Sequence, residues 1–287
     1  MHDRLDPLIE ERAPWLFASR PGTRFVRRLL NRALSYDKTV AIATELEHAP
    51  TKVIMDRMGD MLARDLQVSG LQHIPRHGAA LIVANHPTGI ADGIMLWQML
   101  RDVRPDQPYF MANRDICRFM PQLEDMIAPV EWREEKRSRE KTRETLIFMK
   151  EAVAQGRLGV IFPSGRLAKR RGLRLHERPW MASAAQLARR FDVPIIPVNI
   201  RARNSWLFYL FDLLHPTLRD ITLFHETLNK THQPYRITVG EPISPAALPK
   251  SGEDAIAVLR KATLALGENG DPTVSIVRAT RRPLLRF

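Results

Sequence analysis

Apolar residues fall into short runs set between amphipathic stretches, and that alternation predicts the elements. Ala79 to Ala84 is apolar throughout and short enough to be a buried strand. It stops at Asn85-His86-Pro87-Thr88-Gly89, a breaker cluster where the chain must turn. Thr88 can then N-cap a helix, placed over 93–102, whose apolar face carries Ile94, Met95, Leu96, Met99 and Leu100. Residues 67–71 read as a short strand and turn, 108–112, 158–162 and 195–200 as strands, and 236–242 as a late strand and turn. Helical spacing recurs over 135–154, closed by Gly156, and over 180–191 and 252–266. Strands alternating with helices predict an α/β fold, with a central mixed, mostly parallel sheet flanked by helices.

Ahead of the sheet, Phe25, Leu29, Leu30, Ala33 and Leu34 recur at helical spacing between Thr23 and about Glu45. Arg27, Arg28 and Arg32 lie among them, which makes the helix basic and amphipathic. With a second helical segment over 52–66, this predicts an N-terminal helical hairpin. The boundary falls between a helical region, 1–66, and a sheet domain, 67–287. Trp206-Leu207-Phe208-Tyr209-Leu210-Phe211 is the most apolar stretch, too short to span a bilayer. It suits an interfacial segment or the wall of an apolar-chain site, and equally a buried core helix.

Composition narrows the partners. A chain of 287 residues with 44% hydrophobic and 26% charged residues can bury a core, but its net charge of +12 implies an anionic partner. The single cysteine, Cys117, excludes an intrachain disulfide and a cysteine-based zinc cluster, and suits a reducing compartment. Neither a signal peptide nor a transmembrane helix is expected, since no apolar run reaches roughly 18 residues.

Two constellations carry chemistry. His86 stands at the carboxyl end of the 79–84 strand, where open α/β sheets place their ligand crevice, and Asp92 follows one helical turn in. A histidine oriented by a carboxylate can take a proton from a weak nucleophile, although the pair also reads simply as a strand cap and a helix opener. The second is Ile161-Phe162-Pro163-Ser164-Gly165-Arg166, again at a strand end. Its tight turn exposes backbone N–H groups, and Arg166 offers a planar fork suited to phosphate. Lys169, Arg170, Arg171 and Arg174 extend the positive patch, or form a solvated charge run.

Together these resemble the lysophospholipid (glycerolphosphate) acyltransferase family over roughly residues 65–245. Asn85-His86 and Asp92 match its Asn-His-x4-Asp motif, and Asn113-Arg114 falls near its second, arginine-bearing motif. Phe162-Pro163, Gly165 and Arg166 match its Phe-Pro-Glu-Gly-Thr-Arg motif in part, and Val193 to Val198 matches its late proline-containing strand. The lead-in Val68 to Leu71 and the late Val239 to Pro242 are similar as well. Two departures stand out. Five residues separate His86 from Asp92 where the family has four, and Ser164 replaces the motif glutamate. One extra residue turns a helical position by about 100°, so a loop must absorb it. Both changes resemble the divergent hemolysin-like branch associated with bacterial lipid and ornithine-lipid acylation.

The resemblance implies an acyltransferase domain in which His86 is the general base and Asp92 orients it. Arg114, Ser164, Gly165 and Arg166 are the substrate-binding candidates, with no metal and no cofactor beyond acyl-CoA or acyl-carrier protein as co-substrate. It implies a lipid acceptor, an anionic membrane surface, no nucleic acid, and a cytoplasmic place on the inner face of the cell membrane. A nucleic-acid-binding protein would explain the charge, but the aromatics cluster in an apolar run in place of alternating with Arg and Lys. A thioesterase-like hydrolase lacks a Gly-x-Ser-x-Gly elbow here. A membrane-surface protein without catalysis is the third alternative.

Overall fold

The structure, a computed structural model, describes residues 1–19, 21–104, 106–131 and 138–277. Four helices come first: α1 (His2–Glu10), α2 (Pro21–Ala33), α3 (Tyr36–Glu45) and α4 (Thr51–Leu62). The one basic helix expected from Thr23 to Glu45 is two, because Ser35 takes a left-handed backbone (φ 55°) that no continuous helix admits. The expected hairpin is therefore four helices. Ala43, Leu46, Ile54, Met55 and Leu62 from this region are buried in the same cluster as the central sheet.

The chain continues through β1 (Leu66–Ser69), β2 (Ala80–Ala84), α5 (Ile90–Leu100), β3 (Tyr109–Asn113), α6 (Asp115–Phe119), β4 (Ile127–Val130), α7 (Arg139–Ala154) and β5 (Leu158–Ile161). A basic hairpin follows, β6 (Lys169–Arg171) and β7 (Arg174–His176), then α8 (Ser183–Phe191) and β8 (Ile195–Arg201). Last come α9 (Trp206–Leu214), α10 (Pro216–Ile221), α11 (Leu223–Leu228), β9 (Tyr235–Val239), α12 (Gly252–Ala265) and β10 (Thr273–Ser275). The basic tail of Arg278, Arg281, Arg282 and Arg286, and the start of the 135–154 helix, lie outside the described residues.

Seven strands form one sheet in the order β1-β9-β8-β2-β5-β3-β4. From β8 to β4 every pairing is parallel, whereas β9 runs antiparallel to β8 and carries β1 parallel to itself. The sheet is mixed and mostly parallel, as the alternation predicts. Every residue of β2 is buried, because helices cover both faces of the sheet. Ile82 and Ala84 enter the cluster that holds Met95, Leu96 and Met99 of α5. Leu81 and Val83, one pleat apart, enter the cluster with Ala184, Ala185 and Ala188 of α8 and Leu259 of α12. A second sheet, β10-β7-β6, is antiparallel and small.

The stretch from Trp206 to Phe211 opens α9, and its two readings divide the helix between them. Phe208 and Tyr209 are buried, whereas Trp206, Leu210, Leu213 and Leu214 are exposed. Among the described residues, no helix is long and apolar enough to cross a membrane.

Candidate active site

Three parallel strands leave the sheet side by side, and their exits build the site. β2 passes into Asn85 and His86, β5 into Phe162 to Gly165, and β8 into the loop at Ala202 to Ser205. Asn85 prolongs the ladder with its side chain. Its Nδ2 donates to the Ile200 carbonyl at 2.9 Å, and its Oδ1 accepts from the Ile200 N–H at 2.7 Å. The turn that carries His86 is thereby fastened to β8.

His86 is held on every side but one. Its Nδ1 lies 2.9 Å from Asp92 Oδ2, and its ring stacks on Phe162 with centroids 4.1 Å apart. The two ends of the basic hairpin clamp its backbone. The Ala168 N–H donates to the His86 carbonyl at 2.9 Å, and the His86 N–H donates to Glu177 Oε2 at 3.1 Å. Nε2 has no hydrogen-bond partner among the described residues, and the side chain keeps 18% exposure.

Asp92 is fully buried and makes up for the loss of water with five donors. Oδ2 accepts from the Thr88 N–H (2.9 Å), the Gly89 N–H (3.0 Å) and His86 Nδ1. Oδ1 accepts from the Thr88 hydroxyl (2.6 Å) and from the Tyr235 hydroxyl (3.3 Å), whose single proton is shared between Oδ1 and the Thr88 oxygen. An ionised carboxylate only accepts, so the imidazole proton facing it belongs on Nδ1 and the lone pair on Nε2.

The extra residue between the two is absorbed before the helix begins. Gly89, not Thr88, is the N-cap of α5, at φ 103° and ψ −135°, a conformation that a side chain does not tolerate. The helix starts at Ile90, and Asp92 reaches back from its first turn to the Gly89 N–H. A negative charge at that place also meets the positive end of the helix dipole.

The 162–166 turn closes tightly, with the Gly165 N–H donating to the Phe162 carbonyl at 2.9 Å and Gly165 at φ 59°. Ser164 is buried and donates to the Arg166 carbonyl at 2.8 Å, while the Arg166 side chain is exposed. A carboxylate does stand beside this turn, that of Glu177. That side chain is buried beside Ser164, and its Oε1 accepts from the Trp180 indole at 2.9 Å. Burial pushes its carboxyl above the usual range, against the opposing pull of its donors. Glu177 is absent from the sequence-derived set, and its one local sign is an acid inside an otherwise basic stretch.

Arg178 comes next in the chain and donates through Nε to the Leu167 carbonyl at 2.9 Å. Its terminal nitrogens have no hydrogen-bond partner among the described residues. Burial, followed by the like charges of Arg166 and Arg219, lowers its pKa. Arg114 stands elsewhere. It precedes α6, and its guanidinium is engaged by Glu144 of α7 without any bond to the dyad. The structure thus gathers His86, Asp92, Ser164, Gly165 and Arg166, adds Glu177 and Arg178, and leaves Arg114 outside, paired with Glu144. Among the described residues, no cluster of three or more His, Cys, Asp or Glu side chains is placed to hold a metal.

Known proteins resemble the chain in sequence and in fold. A family model described as Acyltransferase matches residues 65–201, which contain both exits with His86, Asp92 and the 162–166 turn. A lyso-glycine lipid O-acyltransferase of Phocaeicola vulgatus is 20% identical over 226 residues, 77% of this chain and 79% of that protein. One of the same name from Bacteroides thetaiotaomicron is 19% identical over 245 residues, 83% of this chain and 87% of that protein. The crystal structure of the 1-acyl-sn-glycerophosphate (LPA) acyltransferase PlsC from Thermotoga maritima matches 85% of this chain and 96% of that chain. Its TM-score is 0.50 at 16% identity, so the fold is common to both. Over residues 65–201 the chain is thus similar to the Acyltransferase family, and its fold is that of an acyltransferase of known structure.

Proposed function

We propose that this protein moves a fatty acyl group from a CoA or acyl-carrier-protein thioester to the hydroxyl of an anionic lysolipid, with His86 as general base. One observation carries the reading: an imidazole whose Nδ1 is committed to a buried carboxylate while its Nε2 is unpartnered and reachable. The acceptor's hydroxyl proton passes to Nε2 as its oxygen bonds the thioester carbonyl carbon. The tetrahedral adduct then collapses, the C–S bond breaks, and the proton on Nε2 passes to the departing sulfur. The products are an ester and a thiol. Asp92 stabilises the imidazolium formed in between. General-base help is typically worth about 10²–10⁴-fold, so positioning must supply much of the rest.

Arg166 and Arg178 suit the acceptor's anionic group, as two planar forks beside the turn that stacks on His86. Arg114 is left out of this role because Glu144 already engages it. The names of the relatives and of the structural neighbour make lyso-glycine lipid and 1-acyl-glycerophosphate the first acceptors to try.

We place the protein peripherally on the inner face of the cell membrane, through α2 and α9. Leu30 of α2 and Leu207 and Phe211 of α9 pack on one small cluster. The same helices turn Phe25 (71%), Leu29 (59%), Trp206 (72%) and Leu213 (68%) to the outside, with Arg24, Arg28 and Arg32 exposed among them. Apolar side chains ringed by arginines fit an anionic lipid surface.

Purified protein incubated with acyl-CoA or acyl-carrier protein and both acceptors in vesicles, with products read by mass spectrometry, tests the reading. Acylated acceptor should form and should vanish with His86→Ala. Arg166→Ala should raise KM for acceptor and leave donor KM alone, and Arg166→Lys should do so less. Release of free fatty acid in place of acylated lipid would make the protein a hydrolase and end the transferase reading.

A further inference from the structure

Beneath the β8 exit lies a buried ion pair that the transfer chemistry does not use. Lys230, just past α11, and Glu226 within it have side chains 0% and 1% exposed and approach to 3.1 Å. Taking two charges out of water is costly even when they meet. All three ammonium protons are engaged, by Glu226 Oε2, Asn204 Oδ1 at 2.8 Å and Asn229 Oδ1 at 3.1 Å. Burial presses Lys230 down to about 8, with Glu226 pulling the other way. Burial would raise Glu226, but Lys230 and Ser205 together leave it below its usual value. The charged and titratable groups around the pair are Asp92 of α5, Arg203 of the loop, Tyr209 of α9 and His225 of α11.

Two connections run outward from this pair. The first goes to the dyad. Asn204, fully buried, donates through Nδ2 to the Thr88 carbonyl at 3.3 Å. The N–H of that same peptide unit, on Gly89, donates to Asp92 Oδ2 at 3.0 Å. A peptide unit is planar, so fixing its carbonyl fixes the direction of its N–H. The second goes to α9. Glu226 accepts from the Ser205 N–H at 2.7 Å and from its hydroxyl at 2.5 Å, and Ser205 caps α9 at the Phe208 N–H. The Asn204 N–H donates to the Tyr209 hydroxyl at 3.0 Å.

We propose that Lys230 is a positioning residue for the His86–Asp92 pair. Through Asn204 it locks the Thr88–Gly89 peptide onto Asp92, and through Glu226 it locks the first turn of α9 into the same unit. The proposal rests on the dyad reading above, yet two of its readouts need no turnover. Lys230→Met alone strands Glu226 and is at risk of not folding. Lys230→Met/Glu226→Gln removes both charges together, and Asn204→Ala breaks the link while leaving the ion pair in place. Both folded variants should lose kcat by about 10- to 100-fold, the range reached when a reacting group is misplaced by an ångström. Both KM values should stay within about twofold. The Gly89 amide should exchange faster with deuterium, and its NMR shift should move. The triple variant should be no worse than either parent, because one chain is cut twice. A folded double variant with wild-type kcat, or losses that multiply in the triple variant, overturns the proposal. An unchanged Gly89 amide overturns it even if no acceptor has been found.

Discussion

Asp92→Asn separates charge from shape in this site. The two backbone N–H groups on Oδ2 dictate how the amide must sit. Its oxygen has to take the Oδ2 place, since the alternative points an NH₂ at two N–H donors. That orientation keeps an acceptor opposite His86 Nδ1 and preserves the tautomer. The NH₂ then faces the Thr88 and Tyr235 hydroxyls, and both can rotate to accept. The substitution therefore removes the negative charge and little else. A hydrogen bond to a charged group is worth about 1.5–3 kcal/mol, and losing that support for the imidazolium corresponds to about 10- to 150-fold in kcat. Acceptor and donor KM should hold, and the melting temperature should change little. Asp92→Ala is the contrasting case, because it leaves two buried N–H donors unpaired at about 1–3 kcal/mol each. It should unfold well below the wild type. Steady-state kinetics and thermal melts on both variants decide. If Asp92→Asn keeps more than half the wild-type kcat, the carboxylate is only a helix-start fixture and the general-base reading loses its second member.

Other outcomes follow from the same geometry. Gly89→Ala forces a side chain into φ 103°, about 1–3 kcal/mol of strain, and brings Cβ to 3.4 Å from Leu167 Cδ2. Activity should fall by more than tenfold while unfolding stays cooperative; a fully active variant would show that the loop geometry is dispensable. Glu177 titrates above its ordinary value of 4.5 in the folded chain, so across the window above 4.5 the folded state binds more protons than the unfolded. Its contribution must fall as pH rises through that window. Glu177→Gln should flatten the fall in stability with pH above 4.5, read from urea unfolding at a series of pH values, and an unaltered pH dependence refutes the assignment. Trp206→Ser with Leu213→Ser should weaken co-sedimentation with anionic vesicles by about tenfold or more, from about 1.5–3 kcal/mol per buried side chain. Turnover of a short-chain, water-soluble acceptor should be unaffected, and equal loss in both assays would place α9 at the acyl site instead.

The parts of the fold that could be read from the sequence are those where local pattern and burial agree. β2 is apolar in every residue and buried in every residue, and a breaker cluster marks its end. β4 is four residues long with Pro129 inside it, so no run announces it. The break at Ser35 carries neither glycine nor proline, and the left-handed turn there is a tertiary outcome. β6 and β7 are strands in which Lys169, Arg170, Arg171 and Arg174 make up most of the residues, so their pattern is that of a solvated charge run. In the site, His86 and Asp92 could be paired because they are near in sequence. Glu177 is 91 positions from His86, and Lys230 is 26 from Asn204, so only the fold brings those partners together.

The glycine that starts α5 changes what counts as a signature for this chemistry. What the pair requires is a hydrogen bond between an imidazole on a strand exit and a carboxylate in the first turn of the next helix. The number of residues looped out between them is free to vary while a glycine absorbs the difference at the helix start. A pattern search that insists on four intervening positions passes over this chain, whereas one written as histidine, a short breaker segment, glycine and then an acid at the third helical residue would retain it.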